Sequence, residues 1–243
     1  MKLEILPVHL QDATGGQRPL EDFSRQELSL CLDVLARIIH SREGVEILRP
    51  DEHTLGVEKI RAFRDSQYRA IAPYLASPFQ QEIETKLDLD ARSLHFIAVQ
   101  QGEMIGTLRI TDQPFEISAL SPELTERSAQ LTGYKEISRL VIDPKRGSAF
   151  VGEKLLFGAV RWLCAKTDAR GFIMICRERR LRYFSYYGLT PVQETPFRIP
   201  ERENGLYYLM STTFPILIDR IFSTIYWNPE EIEKRYRWTR KKN

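Results

Sequence analysis

The run YKEISRLVI, residues 134–142, places Glu136 and Arg139 inside an apolar, strand-like stretch, and Arg109 interrupts a second one, MIGTLRITD. Charged side chains in such settings nearly always find partners, because burying them alone is costly. Burial raises a carboxylate's affinity for its proton, which suits it to act as a general base. Guanidinium groups hold carboxylates through paired hydrogen bonds. The three residues are therefore candidates for an acid–base site, with a structural ion-pair network as the alternative, Arg109 being the salt-bridge mate of Glu136. Their spacing poses a geometric difficulty. Side chains alternate along a strand, so residues three apart face opposite ways.

The surrounding elements follow from periodicity. LHFIAVQQGEMIGTLRITD reads as a hairpin turning near Gln101–Gly102. The charged strand runs from about residue 135 to 142. A helix follows with Val151, Leu155, Leu156, Ala159, Val160, Leu163 and Cys164 on one stripe. GFIMIC is a further strand, ERRLRYFSYYG a helix stopped at Gly188, and GLYYLMSTT a last strand. Upstream, residues 21–41 and roughly 56–75 show helical spacing, and residues 112–133 form a polar connection with a short helix. This order predicts a mixed α/β fold: a central twisted mixed sheet flanked by helices, with an extra N-terminal helical segment. The chain divides into an extension with one helix (1–55), an α/β domain (56–214) and a basic helical tail (215–243).

The loop between the charged strand and its helix carries Gly147, Ser148 and Gly152, and a helix N-terminus there would offer free N–H groups to a phosphate. Glycines before helices are also ordinary connections. At 243 residues and a net charge of +2, the chain has no electrostatic need of a nucleic-acid partner. Three cysteines in apolar runs fit buried thiols in a reducing compartment. No signal pattern and no membrane-length apolar run is visible, so the expected location is the cytoplasm. The histidines and cysteines form no ligand-spaced cluster, so no metal is expected.

Taken together, MIGTLRITD, YKEISRLVIDPKRG and ICRERRLRYFSYYGLTPVQ resemble the GNAT acyltransferase superfamily over roughly residues 58–213. Within it they are most similar to the branch of acyl-homoserine-lactone synthases and N-acyl amino acid synthases. The resemblance implies a β-bulge in the central strand, which would turn Glu136 and Arg139 to one face. It implies an acyltransferase in which Glu136 is the base, directly or through a water, while Arg139 and Arg109 fix the site. Val141, Ile142, Lys145, Arg146, Gly147, Ser148 and Gly152 would bind the donor.

Two departures from the acetyl-CoA enzymes of the superfamily favour acyl carrier protein over CoA as donor, although acyl-CoA stays open. Phe150 stands where a pyrophosphate loop favours a small residue. Phe184 stands where a tyrosine often serves as acid. No cofactor is bound; the acyl-phosphopantetheine arm is the donor. Arg177, Arg179, Arg180 and Arg182 would steer the acidic carrier protein, or form a solvated helix face. Phe157, Trp162, Phe172 and Met174 would line an acyl tunnel, or serve as plain core. Asp88 and Asp90 match the lactone synthases' acidic motif only loosely, and the indole of their N-terminal helices is missing, which favours an amino acid over S-adenosylmethionine as acceptor. The alternatives are a lactone synthase using S-adenosylmethionine, a CoA-dependent acetyltransferase, or a non-catalytic module binding carrier protein or RNA. The basic tail adds possible peripheral membrane contact.

Overall fold

The structure, a computed structural model, describes residues 23–29, 32, 44–49, 55–147 and 149–227. The hairpin forms as the alternation predicts, from β2 (Leu94–Gln100) and β3 (Glu103–Thr111). Its turn residues Gln101 and Gly102 both take positive φ, 53° and 80°. Two consecutive left-handed residues match the twist of a tight hairpin, and glycine at the second adopts that conformation without strain.

β3 continues the sheet into β4 (Tyr134–Ile142), which runs antiparallel to it and parallel to β5 (Gly171–Arg177). β8 (Gly205–Thr213) pairs antiparallel with β5 and carries the short strands β6 (Thr190–Pro191) and β7 (Phe197–Ile199). At the opposite edge β1 (Val45–Leu48) pairs with β2. Among the described residues the sheet therefore has eight strands in the order β1-β2-β3-β4-β5-β8-β6, with β7 also on β8. β1 lies within the segment expected to be an extension with only a helix. Four residues, VEIL, are too few to announce a strand by periodicity. The predicted N-terminal helix is seen as helical residues 25–29 and 32; residues 33–41 of its span, like the tail from residue 228, lie outside the described residues.

Helix α1 (Val57–Ile71) ends earlier than residue 75 because Pro73 opens a 3₁₀ turn. A helix that the sequence reading did not single out, α2 (Pro78–Lys86), then begins at Ser77, whose hydroxyl accepts the Gln80 N–H at 3.4 Å. The connection before β4 holds the short helix α3 (Pro122–Ala129), as expected. α4 (Ala149–Lys166) follows β4, α5 (Leu181–Tyr186) follows β5, and α6 (Phe214–Trp227) continues directly from β8.

Alternation assigns the two faces of the sheet. Leu108 and Ile110 join the main core with Leu155, Ala159 and Leu163 of α4 and Leu217 of α6. Arg109, between them, points to the other face, where α1 and α2 lie. Phe172 at 0% exposure, Phe157 at 3% and Met174 at 7% belong to that main core, with Trp162 packed against it. Trp162 meets Phe96 edge-on at 6.1 Å, and Phe172 meets Phe214 at 5.0 Å. These four side chains are packing, and none lines the cavity described below. Among the described residues no helix is long and apolar enough to cross a membrane.

β4 and β5 pair only from Tyr134↔Gly171 to Glu136↔Ile173. Beyond Glu136 the two strands part, leaving the remainder of β4 unpaired on its β5 side. Gly171 anchors the closed end: a Cβ there would stand 2.0 Å from the Thr212 carbonyl oxygen of β8. Backbone cannot yield as a side-chain tip can, so Gly171→Ala is expected to destabilise the fold by about 3 kcal/mol, read as a fall in the urea unfolding midpoint.

Candidate active site

The alternation of β4 breaks between Glu136 and Arg139, as the resemblance implied. Thr107 pairs with Val141 and Arg109 with Ser138, so Leu108 on β3 faces two residues, Arg139 and Leu140, on β4. Arg139 is the bulged residue and takes φ 53°, the left-handed region. The bulge turns Arg139 to the face that Glu136 and Ser138 already occupy. Arg109 from β3 joins them, its Nε donating to Ser138 Oγ at 3.0 Å.

These side chains enclose a buried charge network centred on Glu116, a loop residue 3% exposed. Its carboxylate accepts from Arg109, from Arg139 at 3.2 Å, from Arg202 at 2.7 Å and from Gln80 Nε2 at 2.9 Å. Glu84 of α2 takes Arg109 Nη1 at 2.5 Å and Arg139 Nε at 3.0 Å. Asp90 takes Arg109 Nη1 at 2.9 Å, Arg61 Nε at 3.2 Å and Arg64. Burial alone would raise Asp90, but Arg64 and Arg109 outweigh it and hold its carboxylate well below the ordinary range. The same contest at Glu116, between burial and the cations Arg139, Arg109 and Arg202, ends at about 2.

Glu136, expected as the base directly or through a water, lies behind these charges. It is 1% exposed, and its oxygens accept the backbone N–H groups of Glu116, at 2.5 Å, and Ile117, at 3.3 Å. It is not the ion-pair partner of Arg109; it fixes the loop that presents Glu116. Burial, and then the neighbouring negative charge of Glu116, push its carboxyl up to about 8 against the pull of Arg109 and the two N–H groups. Arg139 and Glu84, by contrast, reach open space.

Both line a cavity of about 410 Å³ between α1 and α2, together with Arg64, Tyr68 and Asp90. The Arg139 guanidinium lies over the Tyr68 ring at 5.7 Å from its centroid.

The residues expected to bind the donor lie at the end of β4 and in the loop after it. Val141 is buried in the β3 pairing, and Ile142 is half-buried. Lys145 and Arg146 are exposed, with Arg146 tied to Glu103. Gly147 and Gly152 have a packing reason: added Cβ atoms would stand 2.2 Å and 3.1 Å from side-chain atoms of Ile142. Ser148 lies outside the described residues. Across the parting strands, the Tyr187 hydroxyl of the α5 side donates to Glu153 of α4.

Of the expected carrier-protein cluster, Arg179, Arg180 and Arg182 are exposed. Arg177 instead turns inward. It stacks on Tyr74 at 4.4 Å, donates to the Tyr207 hydroxyl at 3.0 Å and pairs with Glu203 at 2.8 Å. Sequence reasoning missed Glu84, Glu116, Gln80 and Arg202. Each is an ordinary polar residue of a helix or loop, and only the fold brings them together; Arg202 lies 86 residues from Glu116.

A mixed sheet whose central strand is bulged and parts from its parallel neighbour is a GNAT-like fold. Solved structures share it at low sequence identity. FeeM, an N-acyl amino acid synthase from uncultured soil microbes, superimposes with a TM-score of 0.51 and 13% identity over 70% of this chain and 91% of its own. MesI, a CoA-dependent acyl-homoserine lactone synthase, gives 0.50 and 15% identity over 76% of this chain and 95% of its own. No protein-family model and no curated protein matches the chain.

The opposite shifts in the network set a pH dependence of stability. Glu116 and Asp90 are depressed in the folded protein, so the stability they contribute is present above their ordinary pKa values, 4.5 and 3.8, and is lost as pH falls through their folded ones. Glu136 is raised from 4.5 to about 8, so its protonated form stabilises the fold fully below 4.5, and that contribution is lost as pH rises to about 8. Urea unfolding midpoints should therefore be highest near pH 5 and fall on either side. In Glu136→Gln the alkaline decline should flatten; a decline unchanged in the variant would contradict the assignment.

Proposed function

We propose that the protein is an N-acyltransferase that moves a fatty acyl group from the phosphopantetheine thioester of an acyl carrier protein to the α-amine of an amino acid. The position of Arg139 carries this reading. It forms part of the cavity wall, and it belongs to the portion of β4 that has left β5. An amine in the cavity and a thioester laid in the gap between the strands would meet beside it. FeeM, with the same fold, is an N-acyl amino acid synthase. The exposed Lys145, Arg179, Arg180 and Arg182 follow the ends of β4 and β5, where an acidic carrier protein would deliver its arm.

In the reaction the amine nitrogen attacks the thioester carbonyl, the C–N bond forms, the C–S bond breaks and the thiol leaves with a proton. The substrate arrives as an ammonium ion and must first lose a proton. Of the carboxylates on the cavity wall, Glu84 is the one paired directly with Arg139, and beside that residue it would meet the ammonium and accept its proton, its orientation fixed by Arg109 and Arg139. The N–H groups on the open edge of β4 would polarise the carbonyl. Glu136 acts one step removed, as a positioning residue that holds Glu116 and through it Arg139.

The test is incubation with acyl carrier proteins and CoA bearing chains of several lengths, a pool of amino acids and S-adenosylmethionine, with products identified by mass spectrometry. An N-acyl amino acid and free carrier-protein thiol are expected. Glu84→Gln should lower kcat/KM about 100-fold, whereas Glu136→Gln should keep activity within about tenfold and shift stability instead. Abolished transfer in Glu136→Gln with Glu84→Gln active would restore Glu136 as the base. Methylthioadenosine release with S-adenosylmethionine would make the protein a lactone synthase, and absence of any acyl product would overturn the reading.

A further inference from the structure

The charges around the cavity do not balance, and the imbalance has a direction. Glu84 and Asp90 are satisfied by the arginines around them. Two further carboxylates, Asp65 of α1 and Asp88 just past α2, also line the cavity. Neither side chain has a hydrogen-bond or ion-pair partner among the described residues. On the α1 wall the deficit is of the opposite kind. Arg64 and Tyr68, one helical turn apart, are 3% and 4% exposed, and among the described residues Arg64 Nη1 and the Tyr68 hydroxyl have no hydrogen-bond partner. An unpaired buried donor costs about 1–3 kcal/mol, which a ligand acceptor atom at that wall would recover.

On the amino-acid reading of the acceptor, we propose that this acceptor is one with a basic side chain, bearing an ammonium or guanidinium group. Its carboxylate takes the side of Arg64 and Tyr68, its α-amine faces Arg139 and the parting strands, and its side-chain cation lies between Asp65 and Asp88. A carboxylate pair selects a cation with N–H donors, because charge attraction is then joined by directed hydrogen bonds. A neutral side chain of the same length would leave both aspartates without a partner. A sulfonium has charge but no N–H to donate.

Isothermal titration of the full chain with L-lysine, L-norleucine, Nε-acetyl-lysine and S-adenosylmethionine tests this without requiring turnover. L-lysine should bind about tenfold or more tightly than norleucine or the acetylated analogue, an advantage that added salt reduces. The double variant Asp65→Asn/Asp88→Asn, whose side chains are partly exposed, should fold normally, bind norleucine as the wild type does, and lose the preference for lysine. Equal affinity for norleucine, a preference retained in the double variant, S-adenosylmethionine binding without lysine binding, or no binding of any amino acid would each overturn the proposal. Selective lysine binding with no acyl product from any donor would leave the charge recognition standing and remove the transferase reading. Acylation of norleucine as readily as lysine would do the reverse.

Discussion

An arginine held in the left-handed region in the middle of a strand is the constraint on which the site depends. Arg139 at φ 53° inserts the extra residue into β4, and three features share that position. The side chain turns to the face of Glu136, Ser138 and Arg109, so charges three residues apart in sequence converge. The bulge falls in the part of β4 that has left β5 after Glu136, where the sheet opens and a thioester arm would lie. The guanidinium reaches the cavity between α1 and α2, bringing that opening and the cavity to one place. A non-glycine residue in this region carries a cost of about 1–2 kcal/mol, and the hydrogen bonds from Arg139 to Glu84 and Glu116 offset it.

Buried ion pairs are seldom the most stabilising way to fill a space, since well-packed apolar side chains of the same volume do as well or better. Four arginines, 64, 109, 139 and 202, and the carboxylates Glu84, Asp90, Glu116 and Glu136 under one cavity are therefore better understood as a scaffold for orientation than as a source of stability. Each member is held by at least one partner from another element: α1 supplies Arg64, α2 Glu84, β3 Arg109, β4 Arg139 and Glu136, and the loop before β8 Arg202. A field built this way needs little rearrangement when charge develops on a substrate. Glu136 illustrates the division of labour: a carboxyl raised by burial lies behind the wall, bonded to backbone, and shapes the site through Glu116.

Much of the fold was legible because its signals are local. Alternation located β2, β3, β4, β5 and β8, and Gln101–Gly102 marked the hairpin turn. Glu136, Arg139 and Arg109 stood out because charge in an apolar strand is rare. Their partners did not stand out. Glu84 and Gln80 look like the solvated face of a helix, Glu116 and Arg202 like loop polarity, and only tertiary contact distinguishes them. Other local signals had a plainer origin: Gly147 and Gly152 make room for Ile142, Phe157, Phe172 and Met174 pack the core, and Arg177 bonds within the fold although its neighbours Arg179, Arg180 and Arg182 stay exposed.

The central claim is that donor and acceptor meet at the bulged residue. It is tested most directly by a crystal structure with an acyl-pantetheine thioether, an unreactive analogue of the donor. The account predicts the pantetheine arm between β4 and β5, hydrogen-bonded to the unpaired edge of β4, with its sulfur beside Arg139 and its amine-facing side open to the cavity between α1 and α2. An arm bound elsewhere, with the β4–β5 gap empty and the cavity unconnected to it, would contradict the account.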